Sequence, residues 1–481
     1  MTVSETSQPI ELLLSVSRDE SGTLGAQIEN QLRSAIREGV LRSSARVPST
    51  RDLARQLGVS RRVVVDAYAQ LAAEGYLSLR QGARPRVSDT AAVASAGPET
   101  ARPAATPRFD FRPSVPDVSM FPRATWLRCL REALATITDA DLAYGDPRGV
   151  DVLRSALADY LGRARGVVAD PVTVVVTCGY SQGLGIVCHA LAAGGAKRIA
   201  LEAPTWPEQA MIAERAGLEA VPVRVDDAGI RVDELERSKA DAVVLTPAHQ
   251  HPTGVVLSGE RRMQLLAWLR DRDAVAIEDD YDAEYRYDRA AVGALQGLEP
   301  DRVVYAGSAS KTLAPALRIG WLVVPPGLLD AVSREKLLAD RGTGRIEQLA
   351  LADFVSRGEL DRHLRRMRAR YRGRRDALVE ALAEALPEAV VRGIAAGLHA
   401  IVELPEAYDV RAIRDEARRR RIALETTLDF WPQDGDGRAT LMLGYAQTPE
   451  PTIRAGIREL AEAVRAAAGR SQDPAGGATP T

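Results

Sequence analysis

A lysine, Lys311, follows a predicted strand in the segment GSASKTLAPALRIG, residues 307–320. The same segment contains two serines and an arginine, namely Ser308, Ser310 and Arg318. The amine of a lysine forms Schiff bases with aldehydes, and hydroxyls together with a guanidinium fork bind phosphate oxygens. This combination predicts an amine nucleophile beside an anion-binding loop.

Two further segments place polar residues at the ends of predicted strands. The segment IEDDYDAEY (277–285) contains Asp279 and Tyr281, at the sheet edge where α/β proteins bind ligands. The segment CGYSQGL (178–184) follows the predicted strand VTVVVT (172–177) and opens a helix. Such a turn presents backbone N–H groups and the positive end of a helix dipole to a phosphate.

Taken together, these three segments contain the groups that a pyridoxal 5'-phosphate site needs. Lysine supplies an amine for the aldehyde, and a carboxylate beside the pyridine nitrogen keeps that nitrogen protonated, so that the ring withdraws electrons. A phenol can hydrogen-bond the 3-oxygen of the ring and help to set the pKa of the imine. Serine, arginine and a helix N-terminus neutralise the phosphate dianion.

The elements that must hold these residues alternate between apolar strands and helices. Continuous apolar strands between helices indicate a mostly parallel sheet that is covered on both faces. From about Glu347 to Glu384 the pattern becomes helical and arginine-rich, and a short α+β tail follows, with strands near 398–404 and 439–445. The predicted strands of the large sheet are 172–177, 198–203, 241–246, 274–279, 302–307 and 319–324.

A basic segment precedes this region. Between Arg42 and Arg86 nine arginines stand against three acidic residues, a net charge of about +6, whereas the whole chain carries a net charge of −2. A basic patch on a balanced protein predicts contact with a polyanion. A solvated arginine-rich surface is the alternative on charge alone.

The same region has the pattern of a winged helix-turn-helix. Ile28, Leu32 and Ile36 recur at helical spacing in a first predicted helix, 24–38. Two further predicted helices join at the short segment LGVS (57–60), and a small hairpin of YLSLR and RPRV follows. Three helices and a hairpin, with a tight joint before the reading helix, describe this fold.

Composition limits the remaining possibilities. Hydrophobic residues make up 46% of the chain and charged residues 27%, which is typical of globular proteins. Three cysteines without a CxxC motif argue against a disulfide framework or a cysteine-rich zinc site, and no metal is predicted. We see no signal peptide or bilayer-spanning stretch and expect a cytoplasmic protein. The predicted divisions are a winged helix domain (20–88), a linker (89–108), a large domain (109–470) and a disordered tail (471–481).

The chain resembles two known families. From about Phe109 to Leu460 it resembles a fold-type I aminotransferase, and residues 20–88 resemble a GntR-type DNA-binding domain in RVPSTRDLARQLGVSRR and AYAQLAAEGYL. This fusion is the mark of the MocR subfamily of GntR regulators. The resemblance implies a multi-domain fold, with an N-terminal winged helix-turn-helix, an α/β pyridoxal-phosphate domain and a small α+β C-terminal subdomain. It also implies a homodimer that binds double-stranded operator DNA.

The resemblance also implies roles for the site residues. Lys311 would carry the Schiff base, Asp279 would pair with the pyridine nitrogen, and Tyr281 would face the 3-oxygen. Tyr144 of YGDPRG resembles a tyrosine that reaches the phosphate of the neighbouring subunit, which implies shared sites in a homodimer. The residues implied at the phosphate of the same subunit are Ser308, Ser310, Arg318, Tyr180, Ser181 and Gln182.

Two residues keep alternative interpretations. Trp206 of APTWP lies where the family often stacks an aromatic ring on the cofactor, or it fills the core. His251 stands where many aminotransferases have the asparagine of NPTG, and it either bonds the 3-oxygen or packs under the cofactor. The acidic residues interpreted as solvated or structural, outside the site, are Asp280, Asp282 and Glu284.

At the DNA-binding end, the resemblance places Arg51 and Arg61 where GntR domains usually contact DNA. Val63 stands where the family commonly has threonine, so one polar contact is missing. The further implied contacts are Ser60, Arg62, Arg46 and Arg84. The residues assigned to the core by helical spacing are Leu53, Leu57, Val64, Tyr68 and Leu71.

One departure from the aminotransferase pattern bears on function. Ordinary aminotransferases carry an arginine in the late strand of the small domain, where it clamps the α-carboxylate of the substrate. In this chain that strand reads ATLMLGYAQ, with Met442 in the place of the arginine, and a thioether cannot replace a bidentate guanidinium. We therefore expect a regulator that senses pyridoxal phosphate, an amine or an amino acid. The alternatives are a working aminotransferase with a DNA-binding appendage, and a regulator whose cofactor site is vestigial.

Overall fold

The computed structural model describes residues 14–19, 21–80, 83–89, 106–287, 292–393, 396–405, 408–430 and 439–471. Most of the predicted linker, residues 90–105, and the predicted tail from residue 472 onward lie outside these ranges. The chain divides into two compact units, an N-terminal unit that ends at Ala104 and a large unit that begins at Ala105.

The described part of the N-terminal unit consists of three helices and a two-stranded hairpin. Ile28, Leu32 and Ile36 lie one helical turn apart and are buried in a single apolar core, as their spacing predicts. The two strands of the hairpin are antiparallel. The elements are α1 (Leu24–Arg37), α2 (Thr50–Leu57), α3 (Arg61–Ala73), β1 (Leu77–Ser78) and β2 (Arg86–Val87).

Side-chain caps and one glycine shape the turn between α2 and α3. The hydroxyl of Ser49 accepts a hydrogen bond from the backbone N–H of Asp52 and thereby caps α2. Gly58 ends that helix with a φ of 67°, a left-handed conformation that glycine adopts without steric cost. Ser60 begins α3, but its side chain makes no capping hydrogen bond. Its hydroxyl therefore stays available to a ligand.

The large unit is built on a mixed sheet. Within the described ranges eight strands pair in the order β4-β11-β10-β9-β8-β5-β6-β7; the five from β10 to β6 run parallel, whereas β11 and β7 are antiparallel to their neighbours. The strands are β4 (Val174–Thr177), β5 (Arg198–Ala203), β6 (Glu219–Asp226), β7 (Gly229–Ile230), β8 (Ala242–Leu245), β9 (Val275–Asp279), β10 (Val303–Ser308) and β11 (Gly320–Val323).

Helices cover both faces of this sheet. Val244 packs in a cluster with Leu184, whereas the adjacent Val243 packs in a different cluster with Leu265 on the opposite face. The helices of the large unit are α4 (Arg123–Thr136), α5 (Asp139–Leu142), α6 (Asp151–Arg165), α7 (Tyr180–Ala193), α8 (Pro207–Arg215), α9 (Val232–Ser238), α10 (Gly259–Arg272), α11 (Ala309–Thr312), α12 (Pro326–Asp340), α13 (Arg345–Ser356), α14 (Glu359–Ala385), α15 (Val410–Arg419), α16 (Thr427–Phe430) and α17 (Glu450–Ser471).

The C-terminal part of the large unit is a smaller α+β layer, as predicted. Four of its described strands form an antiparallel sheet in the order β12-β13-β16-β15. A short strand from the start of the unit, β3, pairs with β14 in parallel. Among the described residues, no helix is long and apolar enough to cross a membrane. The strands are β3 (Phe109–Asp110), β12 (Val390–Arg392), β13 (His399–Glu403), β14 (Ile422–Ala423), β15 (Glu425–Thr426) and β16 (Thr440–Gly444).

Candidate functional site

A cavity of about 360 Å³ lies at the carboxyl ends of the parallel strands, and ten of the twelve predicted cofactor residues line it. Segments that are far apart in the sequence therefore meet at one place, as the edge of a parallel sheet requires. The predicted residues in the lining are Tyr180, Ser181, Trp206, His251, Asp279, Tyr281, Ser308, Ser310, Lys311 and Arg318. The lining residues that the sequence did not single out are Ser114, Glu208, Gln209 and Ile212.

Lys311 lies on the short helix α11 and its amine points into the cavity. Ser308 begins this helix, and its hydroxyl accepts a hydrogen bond from the backbone N–H of Ser310 at 2.9 Å. The Nζ of Lys311 donates to the carbonyl oxygen of Ser114 at 2.6 Å. Burial lowers the pKa of Lys311, while the negative charges of Asp279 and Asp282 oppose that shift. Burial thus makes the neutral amine, which is the nucleophilic form, easier to reach than in an exposed lysine.

Asp279 ends β9 and is 9% exposed. Burial raises the pKa of its carboxyl well above the usual range, the charge of Asp280 adds to the rise, and the Lys311 ammonium opposes it. A buried carboxylate of this kind needs a cationic partner to ionise. A protonated pyridine nitrogen supplies such a cation, so this residue fits the predicted cofactor.

The turn that carries Asp279 and Tyr281 is held by a buried ion pair. Arg165 donates to Asp280 from Nε at 2.7 Å and from Nη2 at 3.1 Å, and the Tyr305 hydroxyl donates to the same carboxylate at 2.7 Å. The side chains of Arg165 and Asp280 are 2% and 1% exposed. Asp280 is therefore structural rather than solvated, and it positions its two neighbours in the sequence.

Tyr281 contacts a histidine that the sequence did not single out. The Nδ1 of His249 lies 3.0 Å from the Tyr281 hydroxyl and 3.0 Å from Oδ2 of Asp282, and the His249 and Asp282 side chains are buried. Burial, followed by the charge of Asp282, raises the pKa of Tyr281 well above its usual value. The phenol therefore keeps its proton and can donate a hydrogen bond.

His251 and Trp206 form the aromatic side of the cavity. Their ring centroids lie 4.6 Å apart, and Phe430 lies 5.1 Å from Trp206. Neither ring nitrogen of His251 has a hydrogen-bond partner among the described residues, although the side chain is only 2% exposed. Unpartnered buried nitrogens at a cavity wall indicate a ligand that supplies the missing partner. This geometry favours a site role over core filling for both residues.

At the opposite end, a loop and a helix N-terminus form an anion cradle. Gly179 has a φ of 95°, and a Cβ built on it would lie 3.3 Å from Nη1 of Arg318. A Cβ on Gly320 would lie 2.8 Å from the Cα of Gly179, so the backbone approaches this loop closely. The Arg318 guanidinium donates to the carbonyl oxygen of Cys178. The first N–H groups of α7 are free of partners within the helix and complete the cradle.

The remaining two predicted cofactor residues do not line this cavity. The Gln182 side chain accepts a hydrogen bond from the backbone N–H of Cys178 at 2.7 Å and donates one to Asp340 at 2.7 Å. It therefore stabilises the loop that precedes α7 and is not directed into the cavity. Only its backbone N–H, at the start of α7, stays available to an anion. Tyr144 is 84% exposed, and its ring lies 5.3 Å from the guanidinium carbon of Arg341. Its contact with a neighbouring subunit stays a prediction.

Met442 covers the aromatic side of the cavity from the small sheet. It is 1% exposed and packs with Ile401 and Phe430, against which Trp206 lies. The position that resembles that of a carboxylate-binding arginine is therefore occupied by an apolar side chain that packs in an apolar cluster.

The predicted DNA-contact residues lie on the surface of the N-terminal unit. Arg61 Nε lies 3.5 Å from the Thr50 hydroxyl, and Arg62 pairs with Asp66 at a distance of 3.8 Å. Leu57 is partly buried against the core. The exposed predicted contacts are Arg46, Arg51, Ser60, Arg61, Arg62 and Arg84. The predicted core residues that are buried are Leu53, Val64, Tyr68 and Leu71.

Sequence comparison assigns each unit to a family. Residues 24–87 match the bacterial regulatory proteins of the gntR family, and residues 122–431 match the aminotransferases of class I and II. The chain is 31% identical to the pyridoxine biosynthesis regulator PdxR of Corynebacterium glutamicum, over 94% of this chain and 99% of that protein. It is 35% identical to the probable rhizopine catabolism regulatory protein MocR of Rhizobium meliloti, over 75% of this chain and 77% of that protein.

Structural comparison relates the large unit to enzymes. A multiple substrate aminotransferase from Thermococcus profundus matches with a TM-score of 0.68 and 28% identity, over 75% of this chain and 92% of that chain. The cofactor of this fold is pyridoxal 5'-phosphate, which the residues of the cavity fit. The chain therefore belongs to the MocR-type GntR regulators, a family that joins a helix-turn-helix DNA-binding domain to an aminotransferase-like domain.

Proposed function

We propose that this chain is a ligand-responsive transcription regulator that binds operator DNA as a homodimer. The observation that carries the proposal is that one chain combines exposed arginines around a reading helix with a cavity lined by ten of the twelve predicted cofactor residues. Because operator DNA lies in the cytoplasm, we place the protein there. The domain boundaries at 20–88 and 109–470 belong to the same proposal, and limited proteolysis tests them.

In the large domain, the proposed roles follow from the geometry of the cavity. When bound, pyridoxal 5'-phosphate supplies an aldehyde and an electron-withdrawing ring. Lys311 would hold the aldehyde, and Asp279 would hold the proton on the ring nitrogen. Burial keeps Tyr281 protonated, and His249 contacts its hydroxyl. This phenol would donate to the 3-oxygen. The proposed phosphate ligands are Ser308, Ser310, Arg318, Tyr180, Ser181 and the backbone of Gln182.

Sensing requires a ligand that binds two states of the dimer with different affinity. Pyridoxal phosphate, an amine or an amino acid would act at Lys311, beside the small sheet that carries Met442. A change in how that sheet covers the cavity would then change the spacing or orientation of the two DNA-binding domains of the dimer. Arg51 and Arg61 would contact bases, while Ser60, Arg62, Arg46 and Arg84 would contact phosphates.

A working aminotransferase is the second candidate. The complete set of Lys311, Asp279 and the anion cradle favours it, as does the likeness to an archaeal aminotransferase. Met442 argues against it, because its thioether supplies no guanidinium for an α-carboxylate at this position.

The deciding experiment measures both properties on the full chain. Operator affinity is determined for protein without cofactor, with cofactor, and with cofactor plus an amine or an α-amino acid. In parallel, turnover of a panel of amino donors is followed with and without operator DNA. Regulation predicts a change in operator affinity with negligible turnover. Rapid turnover with an unchanged operator affinity would overturn the proposal.

A further inference from the structure

The small sheet brings an acidic residue to the face that covers the cavity. Glu425 on β15 lies directly opposite Met442 on β16, which lies directly opposite Ile401 on β13. Directly opposed residues of antiparallel strands point to the same face of the sheet. Since Met442 and Ile401 pack toward Trp206 in the cavity wall, the Glu425 side chain lies on that same face.

One oxygen of the Glu425 carboxylate lacks a partner at this place. Its Oε2 is buried and has no hydrogen-bond partner among the described residues. Two cations, Arg112 and Lys311, interact electrostatically with Glu425. The Nε of Arg112 already donates a hydrogen bond to Asp110 at 2.9 Å. Two further acids, Glu208 in the cavity lining and Asp429, interact electrostatically with Glu425. Burial, and next the charge of Asp429, raises the pKa of Glu425 to about 7, so a bound cation would stabilise the ionised form of this carboxyl.

A second observation points to a ligand at the same wall. His251 is buried, lines the cavity, and has no partner for either ring nitrogen among the described residues. Its ring contacts Trp206 and lies 5.3 Å from Phe430, within the aromatic group that continues to Met442. The cavity thus has Lys311 at one place in its lining and an aromatic wall at another, and Glu425 lies on the sheet face that packs against this wall.

We propose that Glu425 accepts a second cationic group of the effector, so that the effector is a diamine rather than an ω-amino acid. This inference rests on the proposed sensing function. One amine of the ligand is held at the Lys311 end, its methylene groups pack on Trp206 and Met442, and its distal ammonium donates to Glu425. A distal carboxylate would meet Glu425 and Glu208 instead, and like charges repel in a site of low dielectric.

The test uses three ligands of equal length and the cofactor-loaded full chain. Binding of 1,4-diaminobutane, butylamine and 4-aminobutanoate is measured by calorimetry without DNA. We expect the diamine to bind at least about tenfold more tightly than butylamine, because a charge-assisted hydrogen bond to a buried carboxylate is strong. We expect 4-aminobutanoate to bind most weakly.

Two variants assign the preference to the carboxylate. Glu425→Gln, of nearly the same shape, should remove the preference for the diamine over butylamine and leave the visible absorbance of the bound cofactor unchanged. Glu425→Arg should shift the preference toward 4-aminobutanoate. Glu236→Gln, an exposed acid on α9, is the matched control and should behave as wild type.

The outcomes separate this inference from the proposed function. Equal binding of the three ligands, or a preference that survives in Glu425→Gln, overturns the diamine inference. The change in operator affinity with each ligand is measured separately. If the diamine binds with a preference that depends on Glu425 but operator affinity stays constant, the binding site stands and the sensing function fails.

Discussion

The two units contain arginines that differ in exposure and in their partners. Arg46, Arg51 and Arg61 in the N-terminal unit are exposed to solvent. In the large unit, Arg165 and Arg374 are buried and paired with carboxylates, each with a side chain less than 7% exposed. Exposed arginines are free to meet a partner, whereas buried ones hold the fold together. Substitutions in the two units should therefore fail in different ways.

The largest effect is expected at the residue that binds the cofactor. Lys311→Ala should abolish the visible absorbance and the borohydride-trapped linkage that pyridoxal phosphate gives with the wild-type chain, because Lys311 is the only lysine among the described residues that line the cavity. Absorbance spectra and mass spectrometry after reduction measure this. If the wild-type chain saturated with pyridoxal phosphate shows no chromophore, the site assignment is wrong.

Removing a buried arginine should cost folding stability. Arg165→Met leaves the Asp280 charge buried without its partner, and such losses amount to about 3–5 kcal/mol in the free energy of unfolding. Arg163 on the same helix is the matched control, because it also pairs with a carboxylate, that of Asp361, but its side chain is 60% exposed. Arg163→Met should change the free energy of unfolding by about 1 kcal/mol at most. Equal effects in denaturant titrations would contradict the distinction between buried and exposed arginines.

An exposed arginine at the reading helix should behave in the opposite way. Arg61→Ala or Arg51→Ala should weaken operator binding by roughly 10- to 100-fold and leave the cofactor absorbance and the unfolding transition unchanged. Arg37→Ala on α1 removes the same charge from an element that we assign no DNA contact, and it should have a small effect. Fluorescence anisotropy with operator DNA at several salt concentrations measures this. Normal operator binding by both variants would mean that the reading helix is misplaced.

The smallest effect concerns a buried acid in the large unit. Burial raises the pKa of Glu202 to about 7 from an ordinary value of 4.5. Between these pH values the folded chain binds more protons than the unfolded chain, so this carboxyl lowers stability as the pH rises through that window. As the pH rises from 5 to 8, the free energy of unfolding of Glu202→Gln should therefore increase by about 1–3 kcal/mol relative to that of wild type. Glu219→Gln, at an exposed position, is the control. If the difference in unfolding free energy between Glu202→Gln and wild type is the same at pH 5 and at pH 8, the raised pKa of Glu202 is contradicted.

The sequence predicted those parts of the fold that local pattern determines. Apolar runs marked six strands of the large sheet, but β6 escaped notice, because only Val223 of its eight residues is buried and Pro222 interrupts the run. Short strands of the small sheet, such as β15 with two residues, carry too little pattern to be recognised.

The site divides in the same way. Motif residues such as Lys311 and Asp279 were predictable, because Asp279 ends a strand of the sheet and Lys311 closely follows the end of another. Ser114, His249 and Glu425 were not, because their importance comes from contacts between residues far apart in the chain. No short-range signal marks Ser114, whereas His249 lies in the motif AHQHPTG that had already drawn attention to His251.

The contact between Lys311 and Ser114 has a consequence for signalling. Ser114 follows β3, which begins directly after the predicted linker, so the amine holds the stretch of backbone into which that linker leads. The nitrogen of an imine carries at most one hydrogen, whereas the free amine of Lys311 offers at least two to the Ser114 carbonyl. Cofactor and backbone therefore compete for one nitrogen atom. We expect cofactor loading to release the first residues of the large unit, and hydrogen exchange of residues 109–117 to speed up when pyridoxal phosphate is bound.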